Sequence, residues 1–527
     1  MAMYHSTRSQ EPALNSKQAI RTGIAPDGGL CVCDDLGTAT LDLSELASKS
    51  YADIARDVLG TLLTDYSAAE IAACVEEAYG DTFASGEVTP LVELAGELGE
   101  DCETCGDAGP ATYVLELWHG PTSAFKDVAL QMLPRLMART ANDGACSADA
   151  SSPCGAAANP CAAADEKIMI VTATSGDTGK AALAGFSDAP GTGITVFYPE
   201  GKVSRVQELQ MSTQEGGNVH VCGIRGNFDD AQSAVKQIFA NKELAERLGE
   251  QGVRLSSANS INVGRLVPQV AYYFAAYAQL LRAERIQPGD AVEFCVPTGN
   301  FGDILAGYYA KRLGLPVAKL IVASDKNNVL CDFLTTGTYD RNRPFFTTTS
   351  PSMDILISSN LERMLYYLSD GDCELVAQLM DELAASGSYT LPADLLARIQ
   401  ELFGCGWADE DQVADAIATC WDLNDYLIDP HTACGYHVLG ELAPAPDAKA
   451  RVLLSTANPY KFPRAVADAL GLACPEDDFA CMEVLSDATG TEAPEQLATL
   501  QDKPILHTDV VDVDGMAAHV EAAALAL

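Results

Sequence analysis

From Lys167 onward the chain alternates short apolar strands with helices, and that alternation limits its fold more than any other feature. Residues 168–171, 194–198, 219–222, 292–296 and 320–323 read as strands, and 178–186, 203–212, 229–248 and 303–313 as helices between them. The strands are almost continuously apolar, so both faces of each must be covered. That predicts parallel sheets sandwiched by helices, an α/β fold. The pattern does not say how many sheets there are, and no fixed-period repeat appears. Upstream, the first hundred residues read as mostly helical. Ser67 and Glu70 before Ile71 form a capping box, in which each side chain meets the other's backbone amide. Residues 114–117 read as a strand and 124–139 as a helix. Residues 140–166 carry almost no large apolar side chain, and predict a dispensable, disordered surface insertion with a smaller counterpart at 101–109.

Charge decides which partners to expect. The chain of 527 residues has 33 basic and 74 acidic side chains, a net charge of −41. Such a field repels nucleic acid and anionic membrane surfaces, so neither is expected as a partner. An anionic substrate would need a local island of Lys and Arg. The 17 cysteines are too sparse for a disulfide scaffold. The N-terminus lacks a basic-then-apolar leader, and no apolar run approaches a membrane span. A reduced, cytoplasmic protein is expected. Cys102, Cys105, Cys146, Cys154 and Cys161 lack the paired spacing of a zinc site, so no metal is expected.

In an open α/β sheet ligands bind beyond the carboxyl ends of the strands, where loops enter helices. Three such loops stand out. Thr172-Ala173-Thr174-Ser175-Gly176-Asp177-Thr178-Gly179 supplies hydroxyls and unobstructed amides suited to an anion. A plain helix cap explains it as well and is favoured from the loop alone. A nucleotide loop at Gly179-Lys180 fails, because Gly is missing at Thr174 and Ser or Thr at Ala181. Pro297-Thr298-Gly299-Asn300-Phe301-Gly302-Asp303 places two glycines at a helix start, the geometry of a phosphate cradle. Leu453 to Pro459, by itself, is a turn. A fourth segment, Trp118 to Asp127, sets Lys126 among apolar neighbours at a helix start, unfavourable for an ammonium. Such a lysine either snorkels to solvent or serves as an amine nucleophile of lowered pKa.

Together these segments resemble the threonine synthase family, pyridoxal-phosphate enzymes of the tryptophan-synthase-β-like fold (PLP fold type II). The resemblance spans nearly the whole chain, in order. It rests on Ser6-Thr7-Arg8, on Gly23 to Leu30, on His119-Gly120-Pro121-Thr122 with Ala124-Phe125-Lys126-Asp127, and on the 172–179 loop. It continues through Asn259-Ser260-Ile261-Asn262 with Arg265, Gly299-Asn300-Phe301-Gly302-Asp303, Asp429-Pro430-His431-Thr432-Ala433, and Lys461-Phe462 after Thr456-Ala457. Asn458 departs from the family's usual His, Gly264 from its common Ser, and the insertion has no family counterpart.

The resemblance implies two α/β domains and a helical N-terminal region. Residues 1–110 would form that region, 111–230 a smaller domain with the cofactor lysine and substrate loop, and 231–527 a larger one with the cofactor-phosphate loop. It implies that Lys126 carries pyridoxal 5'-phosphate covalently, that Gly299, Asn300, Phe301, Gly302 and Asp303 hold its phosphate, and that Thr456 faces its ring nitrogen. Thr122, Ser175, Gly176, Asp177, Thr178, Asn262, Arg265 and Lys202 would bind substrate, with Lys180 as a further basic group. The implied reaction turns O-phospho-L-homoserine and water into L-threonine and phosphate, in a monomer or homodimer. A phospho-lyase releasing 2-oxobutyrate would use the same residues, and a non-catalytic binding protein could share the fold. An intact Lys126 argues against the latter.

Overall fold

The structure is a computed structural model that describes residues 3–95, 109–140, 166–174 and 176–527. The expected insertion and its smaller counterpart, apart from residues 109, 140 and 166, lie outside the described residues, as do Ser175 and the five cysteines weighed for zinc.

Two parallel sheets dominate. One has six strands in the order Phe403–Trp407, Val317–Ser324, Ala291–Pro297, Ala448–Ser455, Thr112–Glu116 and Leu91–Glu93, with only the last antiparallel to its neighbour. The other has five parallel strands in the order Asp509–Asp512, Val219–Arg225, Thr192–Pro199, Lys167–Ala173 and Val253–Ser256. The central strands are buried along most of their length, as their apolar runs require.

The sheets do not divide the chain at 110/111 and 230/231 as expected. Thr112–Glu116, the strand leading to Lys126, pairs with Ala448–Ser455 in the six-stranded sheet. Val253–Ser256 and Asp509–Asp512 extend the sheet built on 167–225. Strand pairing is a long-range choice, and local pattern carries no information about it. The single helix expected over 229–248 is two, Phe228–Ala240 and Lys242–Glu250, because Asn241 closes the first and its side chain caps the second at Leu244 N.

The N-terminal region holds the helices Ser16–Thr22, Tyr51–Leu62 and Ala68–Tyr79, each opened by a capping box, at Asn15/Gln18, Ser50/Asp53 and Ser67/Glu70. It also contains a three-stranded antiparallel sheet, Ser9–Leu14, Tyr4–Ser6 and Cys31–Cys33, which the mostly helical reading does not isolate. These elements are tied to the rest by polar contacts: Arg363 Nε donates to Cys31 O (2.9 Å), and Asn262 Nδ2 to Ile20 O (2.9 Å). Between the N-terminal helices and the six-stranded sheet runs Val270–Arg282. Its Tyr272, Tyr273, Phe274 and Tyr277 are fully buried, so the helix is apolar nearly all round.

Candidate active site

Lys126 opens the helix Lys126–Ala138 immediately after a loop pinned to the end of the Ala448–Ser455 strand. Phe125 N donates to Thr456 O (2.9 Å) and Asn458 N to Ser123 O (3.1 Å), so Lys126 and Thr456 are held side by side at the sheet's carboxyl edge. The helix start is fixed from below by Asp127, which accepts both the amide (2.8 Å) and the hydroxyl (2.7 Å) of Thr122. Gly120 is required there, since a Cβ would lie 2.5 Å from that of Asp127.

Around Lys126 the chain assembles a buried polar cluster. Its Nζ donates to Ser352 Oγ (3.0 Å) and lies 3.8 Å from Asp177 Oδ2. Ser352 Oγ donates to Asp177 Oδ2 (3.2 Å). Asp177 Oδ1 pairs with Lys461 Nζ (2.8 Å), which also donates to Thr122 O (2.8 Å). Ser352 N donates to His431 Nε2 (3.1 Å), so the proton of His431 sits on Nδ1 and is donated to Asp429 Oδ1 (2.7 Å). Burial pulls the Lys126 ammonium down to about 8; Asp177 opposes the shift, and Arg265 and Lys461 add to it. Burial alone would raise Asp177, but Lys461 and Lys126 outweigh it and hold the carboxyl well below the usual range. The result is an amine that loses its proton far more readily than an ordinary lysine, beside a fixed carboxylate and a hydroxyl. That combination can attack a carbonyl and shuttle a proton.

The loop from Gly299 to Asp303 lies against the same cluster. A Cβ on Gly299 would come within 3.2 Å of Ser352 O and Met353 Cα. Phe301 is left-handed (φ 61°) and buried at the start of the helix Gly302–Arg312. The loop carbonyls are tied away from that helix end, Gly299 O by Ser358 Oγ (2.8 Å) and Asn300 O by Asn360 N (3.0 Å). Asn360 Nδ2 is buried without a hydrogen-bond partner among the described residues, and a Cβ on Gly302 would approach it to 3.3 Å. An unmet donor beside a glycine at a helix N-terminus fits a phosphate group. Asp303, by contrast, faces the hydroxyls of Tyr272 and Tyr273, and burial pushes its carboxyl up to about 7. Its side chain supports the loop from behind rather than meeting an anion.

Arg265 is buried, 5% exposed; among the described residues its side chain donates only to Ala258 O (3.2 Å), and no carboxylate pairs with it. Burial lowers its guanidinium to about 10. A buried, unpaired guanidinium within electrostatic reach of Lys126 is a site for an anion.

The other residues expected to bind substrate are engaged or placed as follows. Asn262 spends its side chain on Ile20 O, Ser257 O and Gly264 N, capping its own helix. The Thr122 hydroxyl is spent on Asp127. Asp177 presents a carboxylate to two lysines, which is unsuited to receive a substrate carboxylate. Gly176 N is taken by Thr174 Oγ1 (2.9 Å), and Thr178 is half-buried in the first helical turn. Lys202 is exposed, and no hydrogen bond or ion pair joins it to the cluster among the described residues. Lys180 is half-buried against Gln214 Oε1 (2.5 Å). Sequence reasoning also missed Ser352, His431 and Lys461 as members of the cluster. For Lys461 a signal existed: like Lys126, it sits beside aromatic residues just past a strand. Ser352 had none.

Comparison with known proteins points to one family. Residues 3–79 match the family described as threonine synthase N terminus, 83–456 that of pyridoxal-phosphate dependent enzymes, and 432–522 that of threonine synthase, C-terminal. A threonine synthase of Pseudomonas aeruginosa is 38% identical over 468 residues, 88% of this chain and 90% of that one. A human threonine synthase-like 1 protein is 36% identical over 86% of this chain, which spans 58% of that protein's length. Among solved structures, a PLP-bound threonine synthase from Brucella melitensis is similar with a TM-score of 0.82 and 37% identity, over 99% of this chain and 100% of that one. The yeast threonine synthase structure gives 0.83 and 31%, over 99% of each chain.

Proposed function

The chain belongs to the threonine synthase family of pyridoxal-phosphate-dependent enzymes, and from that premise we propose that the Lys126 site converts O-phospho-L-homoserine and water to L-threonine and phosphate. The observation that carries the reading is the pairing of a buried, easily deprotonated amine with a buried, unpaired guanidinium. Pyridoxal phosphate, when bound, supplies an electron sink for carbanions next to the amino group. Lys126 would bind it covalently, Gly299 to Gly302 with Asn360 would hold its phosphate, and Thr456 would stand at the ring nitrogen. A hydroxyl there, in place of a carboxylate, does not favour a protonated ring.

The chain's residues then divide the work. The amine of Lys126, once free, takes the substrate's Cα proton and then a Cβ proton; phosphate leaves from Cγ, the hydroxyl of water adds at Cβ while its proton goes to the phosphate, and the two abstracted protons are returned at Cγ and Cα. Asp177 and Ser352 hold that amine in place between transfers. Arg265 meets the substrate phosphate and stabilises it as it departs. We place the enzyme in the cytoplasm, as a monomer or homodimer, on the grounds of its sparse cysteines and acidic surface.

Product analysis tests the reading. Given O-phospho-L-homoserine, the holoenzyme should release threonine and phosphate in equal amounts. Release of 2-oxobutyrate instead would make it a phospho-lyase. Borohydride reduction followed by peptide mapping should place the cofactor on Lys126, and mapping to another lysine would refute the site.

A further inference from the structure

Cys331 lies in the helix Val329–Thr336 and Cys405 in the edge strand Phe403–Trp407, and their sulfurs are 3.3 Å apart. Both are partly exposed, unlike most of the free cysteines described. The Cys331 thiol donates to Cys405 Sγ, and the Thr335 hydroxyl lies 3.7 Å from the same sulfur. Each side of the pair also holds the segment that carries Ser352. On the helix side, Asn327 Nδ2 donates to Phe346 O (2.9 Å) and Asp354 Oδ1 (3.0 Å), and Asp325 accepts from Thr348 Oγ1 (3.2 Å). On the strand side, Glu410 Oε2, just past Trp407, accepts from Thr349 N (3.0 Å).

We propose that Cys331 and Cys405 form a thiol–disulfide site for small disulfides, and that closing it slows turnover by displacing the segment that holds Ser352 against Lys126. Cys405 is the attacking sulfur. Hydrogen bonding from Cys331 lowers its thiol to about 7, against the opposing effect of burial, while the Cys331 thiol is pushed up. The Cys405 thiolate attacks one sulfur of a small disulfide RSSR, forming a mixed disulfide and expelling RS⁻. Cys331, losing its proton, attacks Cys405 Sγ and expels the second RS⁻. In sum two protein thiols and RSSR give one protein disulfide and two RSH, the two electrons passing to RSSR. The sulfurs must close from 3.3 Å to the bond length of about 2.05 Å, drawing helix toward strand. Both anchors of the 346–354 segment move with them.

The test uses reduced holoenzyme and glutathione disulfide, with alkylation and peptide mapping over time. A Cys331–Cys405 cross-link should form ahead of other cysteine pairs, turnover should fall by about threefold or more, and dithiothreitol should reverse both. Cys331→Ser should abolish the cross-link and the inhibition and leave Cys405 as a stable mixed disulfide with glutathione. Absence of the cross-link overturns the site whatever reaction the enzyme catalyses. A cross-link without change in turnover overturns its coupling to Ser352, as would equal inhibition of the Cys331→Ser variant. If the reduced enzyme fails to turn over O-phospho-L-homoserine, the functional reading fails separately, and the mapping still decides the thiol site.

Discussion

An ordinary lysine is almost wholly charged at neutral pH, and burial weakens that property in Lys126. Its amine, pulled down to about 8, should be free in about a tenth of the molecules at pH 7, far more than an ordinary lysine. Capture of pyridoxal phosphate by the cofactor-free chain, followed by near-visible absorbance, should therefore accelerate as pH rises through about 8 and level off above it. Lys461 sharpens the argument. Its cation depresses Lys126 directly, and it also neutralises Asp177. In Lys461→Met both effects vanish, Asp177 is left to stabilise the Lys126 ammonium, and the midpoint should move to higher pH. A midpoint that stays put or falls would refute the electrostatic assignment. The same variant leaves a buried carboxylate with a weaker partner and should lose about 3 kcal/mol of stability in denaturant unfolding. Arg265 makes a different prediction, because it lies idle until an anion arrives. Arg265→Ala should cut kcat/KM by about 30- to 1,000-fold, the worth of one charge-assisted contact to a departing phosphate, while the cofactor absorbance persists. A loss under threefold would remove Arg265 from the site.

At the scale of elements, the positions of Lys126 and Asp177 depend on how closely two helices approach. Lys126–Ala138 packs on Asp177–Phe186, and a Cβ on Gly185 would sit 1.9 Å from Leu130 O. No rotamer relieves a clash with backbone, so the helices must separate. Gly185→Ala should cost about 1–3 kcal/mol in chemical denaturation, despite alanine's better helix propensity, and should impair catalysis by widening the 3.8 Å gap between Lys126 and Asp177. A stabilised variant of full activity would refute this. What the sequence discloses about such elements has a physical limit. Apolar runs, caps and glycines at strand ends are local, and they bring out the strands at 168–171 and 292–296, the Ser67 cap, the Gly299 loop and Lys126. Ser352 belongs to a stretch without periodicity, brought to Lys126 by chain folding alone. Asn262 and Thr122 stand within family motifs, yet the first is absorbed by a helix cap and buried carbonyls and the second by the Asp127 carboxylate, a distinction that only the folded chain reveals. The pairing of Asp509–Asp512 with Val219–Arg225 joins segments almost three hundred residues apart, beyond any local signal.

The whole molecule sets a long-range problem that the site must overcome. A chain of net charge −41 repels a phosphorylated amino acid that carries two net negative charges. The cation that would receive it, Arg265, is buried. Buried pairs are screened little by salt, whereas surface charges lose their reach as the Debye length shrinks from about 30 Å at 0.01 M to about 8 Å at 0.15 M. Adding salt should therefore remove the repulsion faster than it weakens capture. Because kcat/KM compares free enzyme and substrate with the transition state, this field acts on it whether association or chemistry limits the rate. It should rise as ionic strength increases over that range, with most of the change in KM. Competition by the added anion works in the opposite sense, so chloride should outperform sulfate at equal ionic strength, sulfate being the closer mimic of phosphate. A steep fall of kcat/KM in chloride would mean that an attractive local field governs substrate entry, and would give exposed groups such as Lys202 a steering role.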